Sequence, residues 1–188
     1  VDARTSRESG CPTCRNKTVL AGYNDLLTTH PELASQANGW DPSQFVAGSN
    51  SKQDWVCSQG HNWKSVINSR VAGVGCPYCA NKKLLKGFND LLTTHPELAK
   101  QAHGWDPTTV IAGSARKMSW ICHFQHTWTA ALYTRSGKQN QGCPYCSGKR
   151  ILSGFNDLKT THPHIAKEAV GWDATKFSKG SGGAKKWC

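Results

Sequence analysis

The chain has 188 residues, a formal net charge of +11 and a hydrophobic fraction of only 37%, so a single large apolar core is not expected. No run of about 18 apolar residues occurs, so no transmembrane helix is expected, and the amino-terminal residues contain no apolar signal segment. A basic balance favours an anionic partner, with nucleic acid first and an anionic membrane second. A soluble basic protein with no such partner is the alternative.

A unit of about 65 residues repeats along the chain, as tandem arrays do. Each unit contains, in order, a Cys-Pro-x-Cys knuckle, Gly-aromatic-Asn-Asp, Thr-Thr-His-Pro, Gly-Trp-Asp and Trp-x-Cys-x-x-x-His-x-Trp. The predicted segments are the end of a preceding repeat, two complete zinc-finger repeats and the start of a third, truncated repeat, over residues 1–14, 15–79, 80–146 and 147–188. Because the chain begins and ends within a repeat, we expect it to be part of a longer array.

Each repeat predicts the same short elements in the same order. The asparagine of the Asn-Asp segment is predicted to cap a helical turn, at Asn24, Asn89 and Asn156. Capping boxes over residues 29–32 and 94–97 are predicted to open a second short helix, and the third copy has His164 in place of the glutamate. Residues 63–70 and 128–135 are rich in β-formers and are predicted to be one arm of a hairpin that leads into the knuckle. The predicted fold class is small α+β zinc-dependent repeats, with short β-hairpins and short helices.

Cysteine spacing indicates metal ligation. Nine cysteines are an odd number, and their Cys-x-x-Cys pairs with histidines nearby favour a metal site in a reducing compartment over disulfides. A close pair of ligands can bind one metal, and a distant second pair completes the tetrahedron. Three thiolates and one imidazole suit Zn²⁺ and leave no position for water, so a structural site is predicted. The two predicted ligand sets are Cys57, His61, Cys76 and Cys79, and Cys122, His126, Cys143 and Cys146.

The predicted cofactor is therefore two zinc ions per chain, with a rubredoxin-like iron site or a redox-active Cys-x-x-Cys as the alternatives. The second set is two residues longer, and the extra length is placed in a hairpin turn around residues 138–140. His123 is interpreted as a bystander because alignment with the first set selects His126. Cys11 and Cys14 form a knuckle without partners, a partial site that needs ligands from elsewhere. Cys188 aligns with Val56 rather than with a ligand.

At these motifs the chain resembles the bacterial and viral "probable zinc-ribbon" tandem repeats, which are treble-clef zinc fingers. The resemblance rests on the Trp-x-Cys-x-x-x-His-x-Trp and Gly-Cys-Pro-Tyr-Cys segments and on the Gly-Phe-Asn-Asp-Leu and Thr-Thr-His-Pro-Glu-Leu-Ala segments between them. It covers residues 11–188. It implies tandem fingers, often joined to restriction-endonuclease-like domains, and a DNA-related role as the targeting part of a nuclease-related or defence-related protein.

Charge placement also favours nucleic acid. Two filled sites, each with a net charge of −1, would lower the balance from +11 only to about +9. Basic residues recur in and just after each finger, where they can contact the phosphate backbone. The candidate contacts are Lys64, Arg70, Lys82, Lys83, Arg135, Lys138, Lys149 and Arg150. For the two matching arginines, Arg70 and Arg135, the alternative is a hydrogen bond to a backbone carbonyl near the knuckle. Trp63 and Trp128 are interpreted as packing residues, with base stacking as the alternative.

The leading hypothesis is a non-enzymatic nucleic-acid-binding array, on duplex DNA rather than RNA, in the cytoplasm or at the nucleoid, or in a host nucleus, and not at a membrane. A protein-interaction scaffold is the first alternative, because repeats form extended surfaces. A treble-clef nuclease is the second, with the Thr-Thr-His-Pro histidines as its candidate residues. These histidines lie at predicted helix starts, where a cationic imidazole is disfavoured, so catalysis is not expected.

Overall fold

The computed structural model describes residues 11–138 and 140–188, and the chain divides between Lys83 and Leu84 into two compact units. Within its described residues the first unit contains two helices of four residues, a 3₁₀ turn at Pro42–Gln44, a β-hairpin and a third short helix. These elements are α1 (Leu26–Thr29), α2 (Pro31–Ala34), β1 (Lys52–Val56), β2 (Asn62–Val66) and α3 (Ile67–Val71). The predicted repeat boundaries at residues 79–80 and 146–147 stay predictions.

The second unit repeats this order and continues into the next helix pair. Its elements are α4 (Leu91–Thr94), α5 (Pro96–Ala99), β3 (Lys117–Ile121), β4 (Thr127–Ala131), α6 (Leu132–Ser136), α7 (Leu158–Thr161) and α8 (Pro163–Ala166). Further 3₁₀ turns occupy Pro107–Thr109 and Ala174–Lys176. None of the helices in the described ranges has the length and hydrophobicity that crossing a membrane requires. The small α+β fold class, with short hairpins and short helices, is confirmed.

An aspartate, not the predicted asparagine, caps the first helix of each pair. The carboxylate of Asp90 is fully buried and accepts hydrogen bonds from Thr93 N at 2.9 Å and from Thr93 Oγ1 at 2.8 Å. The neighbouring asparagine instead holds the loop before it. The side chain of Asn24 donates to Thr13 O at 2.9 Å, and its Oδ1 accepts from Leu20 N at 2.7 Å. Asn24 therefore ties α1 and α2 to the preceding knuckle, and the prediction that the asparagine caps the helix is wrong.

The predicted capping boxes are also absent from the second helix of each pair. The N-cap of α2 is His30, whose side chain makes no capping hydrogen bond. Thr29 belongs to the end of α1, where its Oγ1 donates to Asp25 O at 2.7 Å. The two helices share His30 as the C-cap of one and the N-cap of the other, so no residue is left over to begin a capping box.

The predicted hairpin arm is correct only in its first half. β2 pairs antiparallel with β1, with Trp55 opposite Trp63 and Lys52 opposite Val66. Because β1 begins at Lys52, residues after Val66 have no strand partner, and they form α3 instead. The second repeat does the same, with α6 directly after β4. The two extra residues of this repeat lie between α6 and Cys143, after the hairpin rather than in its turn. Gln139, in the predicted turn, lies outside the described residues.

Each unit builds its core around one fully buried tryptophan, Trp55 in the first and Trp120 in the second. The tryptophan of the Gly-Trp-Asp segment meets it edge-on, with Trp40 and Trp55 ring centroids 5.0 Å apart and Trp105 and Trp120 5.2 Å apart. Trp63 and Trp128 complete the two clusters, which confirms the packing interpretation. Both clusters include a cysteine of the predicted zinc sites, so the aromatic core and the metal site are continuous.

Removing one aspartate cap should destabilise the second unit. In Asp90→Ala, the backbone amides of Gly87 and Thr93 lose their buried acceptor, so we expect the free energy of unfolding to fall by about 1–2 kcal/mol. Chemical denaturation of the zinc-loaded protein measures this change. Glu97→Ala is the control, because this carboxylate is exposed and pairs with the exposed Lys100. Equal effects of the two substitutions would contradict the assignment.

Candidate metal centres

A tight turn between the two hairpin strands presents the first pair of ligands. Cys57 follows β1 and His61 precedes β2, and the amide of Cys57 donates to His61 O at 3.1 Å. Gly60 closes this turn with a left-handed φ of 77°. Gln125 stands at the same place in the second finger and adopts φ 62°, which is unusual for a residue with a side chain.

The Cys-Pro-x-Cys knuckle supplies the second pair. After Cys76 the chain makes a compact turn in which Ala80 N donates to Cys76 O at 3.1 Å and Lys82 N donates to Pro77 O at 2.8 Å. Asn81 completes the turn with φ 53°. Because this backbone reverses direction within a few residues, both thiols of the knuckle face the hairpin turn.

The first set of four side chains converges on one point. Nδ1 of His61 lies 3.5 Å from Sγ of Cys57, 3.7 Å from Sγ of Cys76 and 3.3 Å from Sγ of Cys79. The Sγ atoms of Cys57 and Cys79 are 3.8 Å apart. All four ligand atoms lie within 4.8 Å of one another.

The second set repeats this geometry. Nδ1 of His126 lies 3.7 Å from Sγ of Cys143 and 3.4 Å from Sγ of Cys146, and the Sγ atoms of Cys122 and Cys146 are 3.8 Å apart. These four ligand atoms also lie within 4.8 Å of one another. The two extra residues of this repeat therefore leave the ligand positions unchanged.

These distances fit tetrahedral zinc. With Zn–S bonds of about 2.3 Å and Zn–N bonds of about 2.0 Å, a tetrahedron has S···S edges of about 3.8 Å and S···N edges of about 3.5 Å. Both sets match these edges, and the soft donors suit Zn²⁺ better than hard cations. All four positions belong to protein side chains, which is the arrangement of structural rather than catalytic zinc.

The thiols of each set are too close to ionise together without a cation. Lost solvation and the neighbouring cysteines raise the pKa of Cys79 to about 11 and that of Cys146 to about 12. Burial also opposes ionisation of Cys57, but hydrogen bonds from the backbone of His61 and Gln59 outweigh it and lower the pKa of Cys57. A divalent cation at the centre removes this conflict, since it binds the deprotonated thiolates.

A family model described as a probable treble clef zinc finger domain matches the chain twice, at residues 31–82 and 97–149, which together make up more than half of its length. The chain belongs to this family. Each match contains one complete ligand set, so the predicted resemblance and the cofactor of two zinc ions are confirmed. A search of curated proteins finds no match.

The remaining cysteines lie outside the two treble-clef metal sites. Cys11 and Cys14 are exposed and belong to neither set, so their partial site stays a prediction. The backbone of Cys188 donates to Glu168 O at 3.0 Å, just as Val56 donates to Gln36 O at 2.9 Å. Cys188 thus occupies the Val56 position, which confirms its predicted alignment.

His123 is also outside the second set. Its ring packs on Phe124 with centroids 5.3 Å apart, in agreement with its interpretation as a bystander. A different aromatic ring packs against the zinc ligand His126, and the repeat pattern did not predict it. The ring of Phe155, from the next repeat, lies with its centroid 4.2 Å from that of His126. This contact joins the second finger to the loop that precedes α7.

Two predicted nucleic-acid contacts are corrected by the structure. Arg70 and Arg135 are only 7% and 3% exposed, so neither guanidinium can reach a phosphate. Each donates to a backbone carbonyl near the knuckle, at Val74 and Gln141 respectively, as the alternative interpretation proposed. Each also donates to a glutamine that sequence reasoning missed, Gln36 or Gln101, although the two glutamines occupy the same position in the repeat.

The predicted lysine contacts and Arg150 are all exposed. Lys64 pairs with Asp54 across the hairpin at 3.1 Å, and this neutralising carboxylate precedes the ligand span from Cys57 to Cys79 in the sequence. Lys138 lies in the loop after α6. The basic residues that directly follow the knuckles are Lys82, Lys83, Lys149 and Arg150.

Replacing one ligand should remove one zinc ion. Cys143→Ser deletes a thiolate from the second set, so we expect native mass spectrometry to find two zinc ions on the unmodified chain and one on the variant. Cys188→Ser is the matched control and should keep both ions, because Cys188 is in neither ligand set. A variant that keeps two ions, or a control that loses one, would show that the ligands are assigned incorrectly.

Metal removal should unfold both fingers. Structural zinc contributes roughly 10–16 kcal/mol of apparent free energy in small fingers, and the buried Trp55 and Trp120 belong to the same clusters as the ligands. A strong chelator is therefore expected to shift tryptophan fluorescence to longer wavelength, and added zinc to reverse the shift. Unchanged fluorescence in zinc-free protein would contradict this dependence.

Proposed function

We propose that this chain is a non-enzymatic, nucleic-acid-binding array of treble-clef fingers, with duplex DNA as its partner. The observation that carries the proposal is a pair of exposed basic residues at the same place after each complete knuckle, Lys82 and Lys83 in the first finger and Lys149 and Arg150 in the second. The phosphate backbone supplies most of the non-specific affinity of DNA-binding proteins, and repeated cations suit it.

The knuckle turn holds each basic pair in a defined position. Lys82 N and Lys83 N both donate to Pro77 O, at 2.8 Å and 3.0 Å, and Arg150 N donates to Pro144 O at 2.9 Å. The left-handed residue just before each pair, Asn81 or Gly148, directs the chain back toward the proline. Zinc ligation organises this same turn, so each loaded site presents two cations on a rigid backbone.

The second basic pair lines a cleft of about 220 Å³ beside β4 and the knuckle. Gly142 and Thr129 line the same cleft. Gly142 has no side chain to fill it, and Thr129 adds a hydroxyl group near the two cations. No carboxylate of the described residues forms an ion pair with Lys149 or Arg150. Their charge is therefore available to an anionic ligand, in contrast to the charge of Lys64.

The non-enzymatic part of the proposal follows from the ligand sets. Four protein side chains fill each zinc site, so the metal keeps no position for a substrate or an activated water. The Thr-Thr-His-Pro histidines have a local structural partner, since Nδ1 of His95 lies 2.9 Å from Thr94 Oγ1 and His30 repeats the contact with Thr29. Targeting a separate catalytic domain is the role that agrees with these features.

The test is the salt dependence of DNA binding. Lys149→Gln with Arg150→Gln removes the second basic pair, so we expect weaker binding to duplex DNA and a slope of log K against log salt that is shallower by about 2, because each phosphate contact contributes about 0.9. Fluorescence anisotropy with a labelled duplex at several salt concentrations measures both quantities.

A matched variant removes the same charge elsewhere in the second unit. Lys100→Gln with Lys167→Gln deletes two exposed lysines that follow short helices, and it should leave the slope nearly unchanged. Equal effects of the two double variants would indicate a response to net charge alone. Salt-insensitive binding, or none to any nucleic acid, would reject the proposal in favour of a protein scaffold, and cleavage of the duplex would favour the nuclease.

A further inference from the structure

Each finger encloses one arginine between two tryptophans. The Cζ atom of Arg70 lies 5.1 Å from the ring centroids of both Trp55 and Trp63. In the second finger the Cζ atom of Arg135 lies 5.0 Å from Trp120 and 5.1 Å from Trp128. Cation–π contacts of this kind favour a desolvated guanidinium, but they supply no negative charge.

The hydrogen bonds of the two guanidinium groups go to neutral acceptors. Each group donates to one backbone carbonyl and one glutamine side chain. The Nε atoms of Arg70 and Arg135 are buried and have no hydrogen-bond partner in the part of the chain that the structure describes. Arginine normally satisfies its donors when it is buried, so this repeated deficit needs an explanation.

A buried cation without a counter-charge is costly. No carboxylate among the described residues forms an ion pair with either guanidinium, since the two ion pairs found there involve Lys64 and Lys100. The same unpaired arrangement occurs in both repeats, and in each the neighbours are two tryptophans, a backbone carbonyl and a glutamine side chain. Such repetition indicates that each finger contains the same kind of partner for its arginine.

Zinc-binding cysteines lie near both arginines and interact with them electrostatically. Cys76 and Cys143 belong to the same buried clusters as the tryptophans that enclose the arginines. Arg135 also shares the lining of one cavity with three ligands, Cys122, Cys143 and Cys146. Burial lowers the pKa of Arg70, whereas the charges of Cys76 and Cys57 act in the opposite direction and favour its cationic form.

The charges of the two groups cancel. One Zn²⁺ with three thiolates and a neutral imidazole has a net charge of −1, and one guanidinium has +1. We propose that Arg70 and Arg135 are the buried counter-ions of the two zinc–thiolate centres, so that each loaded finger has an electrically neutral interior. This role does not depend on nucleic-acid binding.

The same arginines connect the metal sites to the helix pairs. Gln36 follows α2 and Gln101 follows α5, and each accepts a hydrogen bond from the arginine through its side chain. Without zinc the three cysteines no longer form an anionic metal centre, so the guanidinium loses its counter-charge at the buried position. Zinc loading therefore stabilises the helix pair of the same repeat as well as the finger.

The test compares three variants of the zinc-loaded chain. Arg135→Met keeps the length and removes the charge, Arg135→Lys keeps the charge and loses the planar fork, and Arg116→Met removes an exposed arginine of the same unit. Competition with a chromophoric chelator measures the affinity for zinc. Alkylation by iodoacetamide, mapped by mass spectrometry, measures the reactivity of each cysteine.

We expect Arg135→Met to lower the affinity for one of the two zinc ions by about 10–100-fold, as loss of a group just outside the ligands commonly does. Faster alkylation should appear at Cys122, Cys143 and Cys146 and not at the ligands of the first finger. Arg135→Lys should recover much of both losses, and Arg116→Met should behave as the unmodified chain. Arg70→Met should produce the reciprocal pattern in the first finger.

The proposal is overturned if Arg135→Met keeps its zinc affinity and alkylation rates. It is equally overturned if Arg135→Lys is as impaired as Arg135→Met, because packing and the planar hydrogen bonds, rather than charge, would then be responsible. Should Arg135→Met fail to fold even with zinc, the lysine variant decides the question, since retained charge must preserve folding and zinc binding.

Discussion

Closure of two distant ligand pairs on one metal is the constraint on which each repeat depends. The hairpin turn supplies a cysteine and a histidine, and the knuckle supplies two cysteines. The helices have four or five residues, well below the length at which a helix is stable by itself. Zinc joins the two turns, and this closure brings α3 or α6 and the tryptophans of the hairpin against one another.

The zinc–thiolate centre carries a net negative charge that the core around it must compensate. One Zn²⁺ with three thiolates has a net charge of −1, and two of these cysteines belong to the same cluster as Trp63 or Trp128. The enclosed arginine meets this charge while its flat faces pack on the same tryptophans, so one side chain serves both packing and electrostatics. A lysine at this position would place a more strongly hydrated charge between the rings, which explains why arginine occupies both fingers.

The ligands could be predicted from the sequence because their chemistry leaves few options: cysteine pairs at fixed spacing recur with a histidine, and the repeat itself selects His126 over His123. The residues that cap the helices were harder to predict. Asn24 and Asp25 are both good caps by propensity, and only the position of the preceding knuckle decides that the asparagine holds the loop while the aspartate caps the helix. The end of β2 at Val66 likewise depends on where β1 begins. Burial of Arg70 depends on two tryptophans that surround it only in the folded unit.

The knuckle connects the metal to the surface that we assign to nucleic acid. Its hydrogen bonds begin at a zinc ligand, Cys143, and end at Arg150, which lies in the basic pair. The backbone that positions this pair is therefore the backbone that ligation holds in place. We expect release of zinc to let the cations sample more arrangements, and ordering them again would then cost entropy on binding. Under the proposed function, structural zinc thus contributes to affinity for a polyanion without touching it.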